Sequence, residues 1–116
     1  MPRRLLLAGL PRLLVNVPVY DAAGEFLGIP DLLEPTTGLV VEYDGEHHRE
    51  LAQHTADNLR EERFEAAGLA VVPVTALDLR DQPATVERLV AAYERRRTRD
   101  PAHDAWTVGR RPVRAA

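Results

Sequence analysis

The order of apolar and polar positions predicts short strands and two helices. Val15–Tyr20 alternates weakly, which is typical of a strand. Two apolar runs, Phe26–Leu33 and Leu39–Asp44, flank the segment EPTTG, in which Pro35 and Gly38 break regular structure. Two short apolar runs joined by such a segment predict a β-hairpin.

A helical pattern follows the predicted hairpin. Apolar residues recur at steps of three and four between Glu50 and Ala67, and Gly68 is suited to end that helix. The run LAVVPVT at residues 69–75 then predicts a buried strand in a β-α-β unit, with Pro73 placing it near a sheet edge. A second helix is predicted over Pro83–Arg97.

These elements predict an α/β fold, with a small mixed β-sheet of about four strands flanked by helices. A chain of 116 residues has room for one modest core. Residues 1–97 are predicted to form one domain, in which residues 3–10 are the last turns of a helix. Residues 98–116 contain four Arg, Pro101, Pro112 and Gly109, and we expect them to be a loosely ordered tail.

Composition limits the cellular locations and the kinds of site that are expected for this protein. The chain has no cysteine, which excludes disulfides and thiolate zinc sites and agrees with a cytoplasmic location. No apolar run reaches the length of a membrane span, so no membrane partner is expected. Pro11 and Arg12 interrupt the N-terminal leucine run, which makes it a poor signal peptide.

Charge is distributed unevenly along the chain. The net charge of −3 argues against non-specific affinity of the whole chain for nucleic acid. Residues 1–20 carry three Arg and no acid, residues 21–90 carry fifteen acids and five Arg, and residues 91–116 carry seven Arg and three acids. An acidic centre between basic ends fits a metal site beside arms that contact DNA phosphates. An ordinary solvated surface explains the same distribution.

Three carboxylates are predicted to share one patch of the hairpin. Folding it about Thr36–Thr37 places Asp31 roughly opposite Glu42, and Asp44 lies on the same face as Glu42. Like charges opposite one another are destabilising, so a compensating cation is expected. Mg²⁺ or Mn²⁺ suits such a set of oxygen ligands, which makes Asp31, Glu42 and Asp44 candidate metal ligands.

Histidines and a polar helix face add further candidates. His48 is a metal ligand, a general base or an exposed loop residue. We interpret His47 and His54 as surface residues, because the spacing of the three histidines matches no known zinc pattern. Asp57 and Arg60 share a helix face, as either a surface ion pair or a phosphate contact.

Two blocks of sequence carry a resemblance to a known family. The segment VVEYDGEHH is followed by the spacing D-x-x-R-x(7)-G-x-x-V, which here is Asp57, Arg60, Gly68 and Val71. In order and spacing these blocks resemble an uncharacterised domain family related to very-short-patch repair endonucleases, within the restriction-endonuclease-like PD-(D/E)XK superfamily. The resemblance implies a restriction-endonuclease-like fold and a Mg²⁺-dependent site acting on DNA. It implies catalytic roles for Asp31, Glu42, Asp44 and His48 and nucleic-acid contacts by Asp57 and Arg60.

The chain departs from the family pattern at three places. Relatives begin with a longer helix that carries a glutamate, whereas Arg3–Leu10 has no acid, so we expect an N-terminal truncation. Pro73 stands where relatives carry arginine, and Asp44 replaces the lysine of the superfamily signature. The general base is therefore left open between Glu42 and His48. The alternative function is a catalytically inactive module that binds nucleic acid or regulates a partner, of the kind associated with antitoxins.

Overall fold

A computed structural model describes residues 10, 12–44 and 51–109, with only the backbone described for residues 51–54. Its strands are β1 (Leu14–Val15), β2 (Val19–Asp21), β3 (Phe26–Gly28), β4 (Leu32–Glu34), β5 (Leu39–Asp44), β6 (Ala70–Thr75) and β7 (Trp106–Val108). Its helices are α1 (Leu51–Ala66), α2 (Ala76–Arg80), α3 (Gln82–Arg97) and the 3₁₀ turn Pro101–His103. None of the described helices is long and apolar enough to cross a bilayer.

The first sheet has four strands in the order β1-β4-β5-β6. Strands β4 and β5 form the predicted antiparallel hairpin, in which Leu33 pairs with Val40. Strand β6 runs parallel to β5 and follows α1, so the predicted β-α-β unit is present. The prediction of a mixed four-stranded sheet flanked by helices is confirmed.

Four hydrogen bonds to one buried carboxylate hold the hairpin turn. Glu34 is fully buried, and it accepts hydrogen bonds from the backbone N–H and the hydroxyl of both Thr36 and Thr37. Gly38 completes the turn with a φ of 70°, which glycine adopts readily. This turn fixes the hairpin register, and with it the pairing of residues further along both strands.

The second sheet has three strands in the order β3-β2-β7. Two strands predicted from the sequence are each divided into two shorter ones, which lie in different sheets. The predicted strand 15–20 is divided at Asn16, whose φ is 51°, into β1 and β2. The predicted strand 26–33 is divided between Gly28 and Leu32, so that β3 lies in the second sheet and β4 in the first. The segment Ile29–Asp31 therefore crosses from one sheet to the other.

Residues 98–109 differ from the predicted loose tail. Strand β7 pairs with β2, in the register Val19 to Val108. Arg99 forms an ion pair of 2.5 Å with Asp104 just before that strand. The expectation failed here because the partner strand of β7 lies near the other end of the chain, where local sequence patterns do not reach. Residues 110–116 lie outside the described residues, as does nearly all of the predicted N-terminal helix.

The core occupies both faces of the four-stranded sheet. Leu39 and Val41 of β5 pack toward α3, in a cluster with Leu89. Val40 points to the other face and packs with Phe64 of α1 and with residues of the second sheet. Because both faces are covered, β5 begins with a continuous apolar run rather than an alternating one. Polarity returns only at its end, and that end carries the candidate site.

The ends of the helices follow from local chemistry. Gly68 has a φ of 97° and donates to Glu65, while Leu69 donates to Phe64, which together form a Schellman motif at the end of α1. Thr75 and Asp78 form a capping box that starts α2, a short helix that the sequence pattern did not predict. β6 is the last strand of its sheet, and no described strand pairs with its outer side, which is called its free side here. Arg88 of α3 donates to the carbonyl of Pro73 in β6 at 2.9 Å.

Candidate functional site

Asp31 and Glu42 meet where β4 and β5 leave the core. The pairing of Leu32 with Val41 puts the preceding and following residues, Asp31 and Glu42, side by side. The backbone N–H of Asp31 donates to Oε2 of Glu42 at 3.2 Å, and the N–H of Tyr43 donates to Oδ2 of Asp31 at 2.7 Å. The carboxylates thus come together across the strands, at the position that the hairpin register predicts.

The crossing segment between the sheets positions Asp31. Gly28 has a φ of 152°, and a Cβ at this position would lie 3.0 Å from Cζ of Phe64. The carbonyl of Asp31 accepts a hydrogen bond from Asn16 at 3.2 Å, which extends the pairing beside β1. The backbone of Asp31 is therefore held by Asn16 on one side and by Glu42 on the other, and its carboxylate accepts from the N–H of Tyr43.

A cleft of about 340 Å³ opens beside this pair. Its lining residues come from β5, α1, β6 and the crossing segment, and they are Asp31, Glu42, Tyr43, Asp44, Asp57, Asn58, Arg60, Glu61, Val71 and Pro73. Every predicted site residue within the described part of the chain lies in this cleft. With five carboxylates and one guanidinium the cleft is strongly acidic, so its charge attracts cations and repels anions.

Two lining residues on α1 were missed from the sequence. Asn58 and Glu61 lie one and four positions after Asp57. Spacings of three and four residues place side chains on one helix face, so the pattern D-N-x-R-E contained the signal. Because Glu61 lies four residues after Asp57, it lies on the same helix face and also lines the cleft.

Arg60 connects α1 to the carboxylate pair. Its Nη2 atom donates to Oε1 of Glu42 at 2.5 Å and to the carbonyl oxygen of Ile29 at 2.8 Å. The guanidinium also lies 5.5 Å from the ring centroid of Phe64. The ion pair that the structure shows for Arg60 is therefore with Glu42 of β5.

The surroundings of Glu42 change its acidity. Partial burial raises its pKa from 4.5 to about 6, and the neighbouring Asp31 carboxylate adds to the rise. Arg60 and the N–H of Asp31 oppose it, because both stabilise the ionised form. Glu42 is therefore mostly ionised at pH 7, with a proton affinity close to what proton transfer near neutral pH requires.

The donor set fits a hard divalent ion in part. Mg²⁺ is commonly bound through one or two carboxylates and retains several waters, and Asp31 and Glu42 supply two adjacent carboxylates. No group of three or more metal-ligating side chains is close enough to hold a metal within the described residues. His48 lies outside those residues, together with His47. Asp44 lines the same cleft.

Comparisons of this chain with protein-family models, with curated proteins and with solved structures found no match.

Proposed function

We propose that this chain is a Mg²⁺-dependent, endonuclease-like domain that hydrolyses phosphodiester bonds in DNA. The observation that carries the proposal is the meeting of Asp31 and Glu42 from different strands at the rim of an acidic cleft. Two carboxylates held together by backbone geometry repel one another, and a structure maintains such a pair most readily when a cation uses it. Perturbed carboxylates in clefts are also frequent at catalytic sites.

Each residue has a role in this proposal. Asp31 and Glu42 would hold the metal, with Asp44 beside them. When bound, Mg²⁺ supplies polarisation of a phosphate oxygen and a lower pKa for an attached water. Where it does not itself ligate the metal, Glu42 would take the proton of that water, since its pKa in the metal-free protein is raised to about 6. His48 remains a second candidate for that base.

The charges of the molecule are compatible with a nucleic-acid substrate. The cleft repels phosphate unless a metal offsets its carboxylates, whereas Arg60 at its wall supplies a guanidinium that matches phosphate geometry. Three Arg in residues 1–20 and seven in residues 91–116 add positive charge at both ends of the sequence. Some of these arginines have structural partners: Arg96, for example, donates to the carbonyl of Gly68 at 2.6 Å.

A cleavage assay tests the proposal directly. Supercoiled plasmid is incubated with the protein and Mg²⁺ or Mn²⁺, and nicked and linear products are measured over time. Asp31→Asn and Glu42→Gln should each lower the rate by about 10²-fold or more, the scale of losing a general base. Glu62→Gln is the matched control, because it removes one charge from an exposed position of α1 outside the cleft.

Equal cleavage by wild type and Asp31→Asn would contradict the assignment of the site. All variants are first compared by circular dichroism, so that loss of activity is separated from loss of fold.

A second candidate is a catalytically inactive module that binds nucleic acid or a regulatory partner. It is favoured by one observation: the Asp31–Glu42 pair already has partners within the chain, in the N–H groups and Arg60. Gel-shift titrations on the same DNA distinguish the candidates. DNA binding without cleavage under Mg²⁺, Mn²⁺ or Ca²⁺ would support the inactive module over the enzyme.

A further inference from the structure

Arg60 is a cation that the chain itself places against the Asp31–Glu42 pair. Its Nη2 atom lies 2.5 Å from Oε1 of Glu42, while the other oxygen, Oε2, accepts from the N–H of Asp31. One guanidinium faces two carboxylates, so it offsets only part of their charge. Glu42 is thus engaged on both oxygens by groups of the protein.

The hydrogen bonding of this arginine is incomplete. Its Nε atom is buried and has no hydrogen-bond partner among the described residues. The side chain passes over Gly28, where a Cβ would lie 3.1 Å from Nε, and packs near the ring of Phe64. A buried donor without an acceptor is unfavourable, so a new position in which Nε finds a partner would offset part of the loss when Nη2 leaves Glu42 and the carbonyl of Ile29. The contact is suited to exchange.

We propose that Arg60 competes with the divalent cation for Glu42, and that metal binding releases its guanidinium toward the phosphate of the substrate. This inference rests on the metal site of the proposed function. A metal on Glu42 and a guanidinium at 2.5 Å from the same carboxylate repel one another, so occupancy by one disfavours the other. The released guanidinium offers the bidentate geometry that phosphate prefers. Arg60 is in this sense a positioning residue, which couples metal arrival to phosphate binding.

Mn²⁺ binding without DNA tests the competition. Free Mn²⁺ is followed by electron paramagnetic resonance during titration of the whole chain at pH 7.5. Arg60→Gln should bind Mn²⁺ about tenfold or more tightly than wild type, since it removes the competing charge. Arg60→Lys keeps that charge and should stay within about threefold of wild type. Arg63→Gln is the matched control, because it removes the same charge from an exposed position of α1 outside the cleft, and its affinity should be unchanged.

A second measurement uses the wild-type protein, so it does not depend on whether variants of Arg60 fold. In ¹⁵N-labelled wild type, the Nε–H resonance of Arg60 should shift during a Mg²⁺ titration and saturate with the binding curve, while that of Arg63 stays fixed. Metal binding that leaves the Arg60 resonance in place, or equal affinities in wild type and Arg60→Gln, would overturn the competition alone. Failure of every variant to bind Mn²⁺ would overturn the metal site of the proposed function, and the competition with it.

Discussion

At the scale of single residues, Glu42 belongs to the candidate site and at the same time lowers the stability of the folded protein. It follows three buried residues of β5, and its environment favours the protonated form more than water does. The ionised Glu42 therefore lowers the stability of the fold at neutral pH. Its placement is better explained by chemistry than by packing.

This property predicts a pH-dependent gain from Glu42→Gln. The folded-state pKa of about 6 exceeds the unfolded value of 4.5, so the folded protein binds more protons between these values and the stability contribution falls as pH rises through them. The full difference corresponds to at most about 2 kcal/mol. Glutamine mimics the protonated acid, so the variant should be more stable than wild type by about 1–2 kcal/mol at pH 7.5.

The measurement is urea denaturation of both proteins at pH 4 and pH 7.5. The gain should disappear at pH 4, where Glu42 of the wild type is protonated in both states. Glu62→Gln, at an exposed position, should show no such pH-dependent difference. A gain of equal size at both pH values would contradict an origin in ionisation.

At the scale of elements, the end of α1 holds two parts of the chain together. Gly68 closes the helix with a φ of 97°, and a Cβ there would lie 2.7 Å from the carbonyl oxygen of His103. The N–H of Ala105 also donates to the carbonyl of Ala67 at 2.8 Å. The helix terminus and the segment before β7 therefore depend on one another.

Gly68→Ala should be much more destabilising than a glycine substitution in open space. Gly24 provides the matched comparison, because its φ of 85° is similar but a Cβ there meets no atom within 4 Å. Gly24→Ala should cost about 1 kcal/mol from backbone strain alone. Gly68→Ala should cost roughly 3 kcal/mol or more, since the His103 backbone must also shift. Thermal denaturation measures both, and equal losses would contradict the close approach.

The elements also show what the sequence alone could predict. The hairpin, α1, β6 and α3 have local signals, such as EPTTG, Gly68 and Pro83, and the structure contains all of them. Strand β7 has three residues and a partner far away in the chain, so its pattern carries no local signal. Likewise the sequence could place Arg96 only at a helix end, whereas folding directs it to the carbonyls of Thr37 and Gly68.

The candidate site divides in the same way. Asp31 and Glu42 were predictable as neighbours because the turn fixes the hairpin register. The pairing of Arg60 with Glu42 depends on how α1 packs across the sheet, which helical periodicity does not encode. Sequence patterns therefore predicted several of the residues that line the cleft, but missed Asn58, Glu61 and the pairing of Arg60 with Glu42.

At the scale of the whole molecule, one strand joins two apolar clusters. Residues of β5 belong to both: Leu39 and Val41 to the cluster beneath α3, and Val40 to the cluster beneath α1 and the second sheet. Loss of either cluster exposes one face of the same strand. The two halves of the core are therefore expected to unfold together.

This predicts a single cooperative transition. Trp106, the one tryptophan of the chain, packs against the cluster that contains Val40, so its fluorescence reports on that half. Far-UV circular dichroism reports largely on the helices, and these include α3, which packs on the cluster that contains Leu39 and Val41. The two signals should give the same midpoint in urea, within error. Separate midpoints would show that the second sheet and α1 unfold independently.

The free side of β6 has a consequence for behaviour at high concentration. An exposed strand invites another chain to add to its sheet, which is a common route to aggregation and fibril growth. Pro73 has no N–H to offer an incoming strand, and its carbonyl is already occupied by Arg88. Loss of Arg88 would free that carbonyl in a fully folded protein. We therefore expect Arg88, which belongs to neither the core nor the cleft, to limit the addition of strands at this edge, so that Arg88→Ala aggregates sooner than wild type when light scattering is followed in concentrated solution.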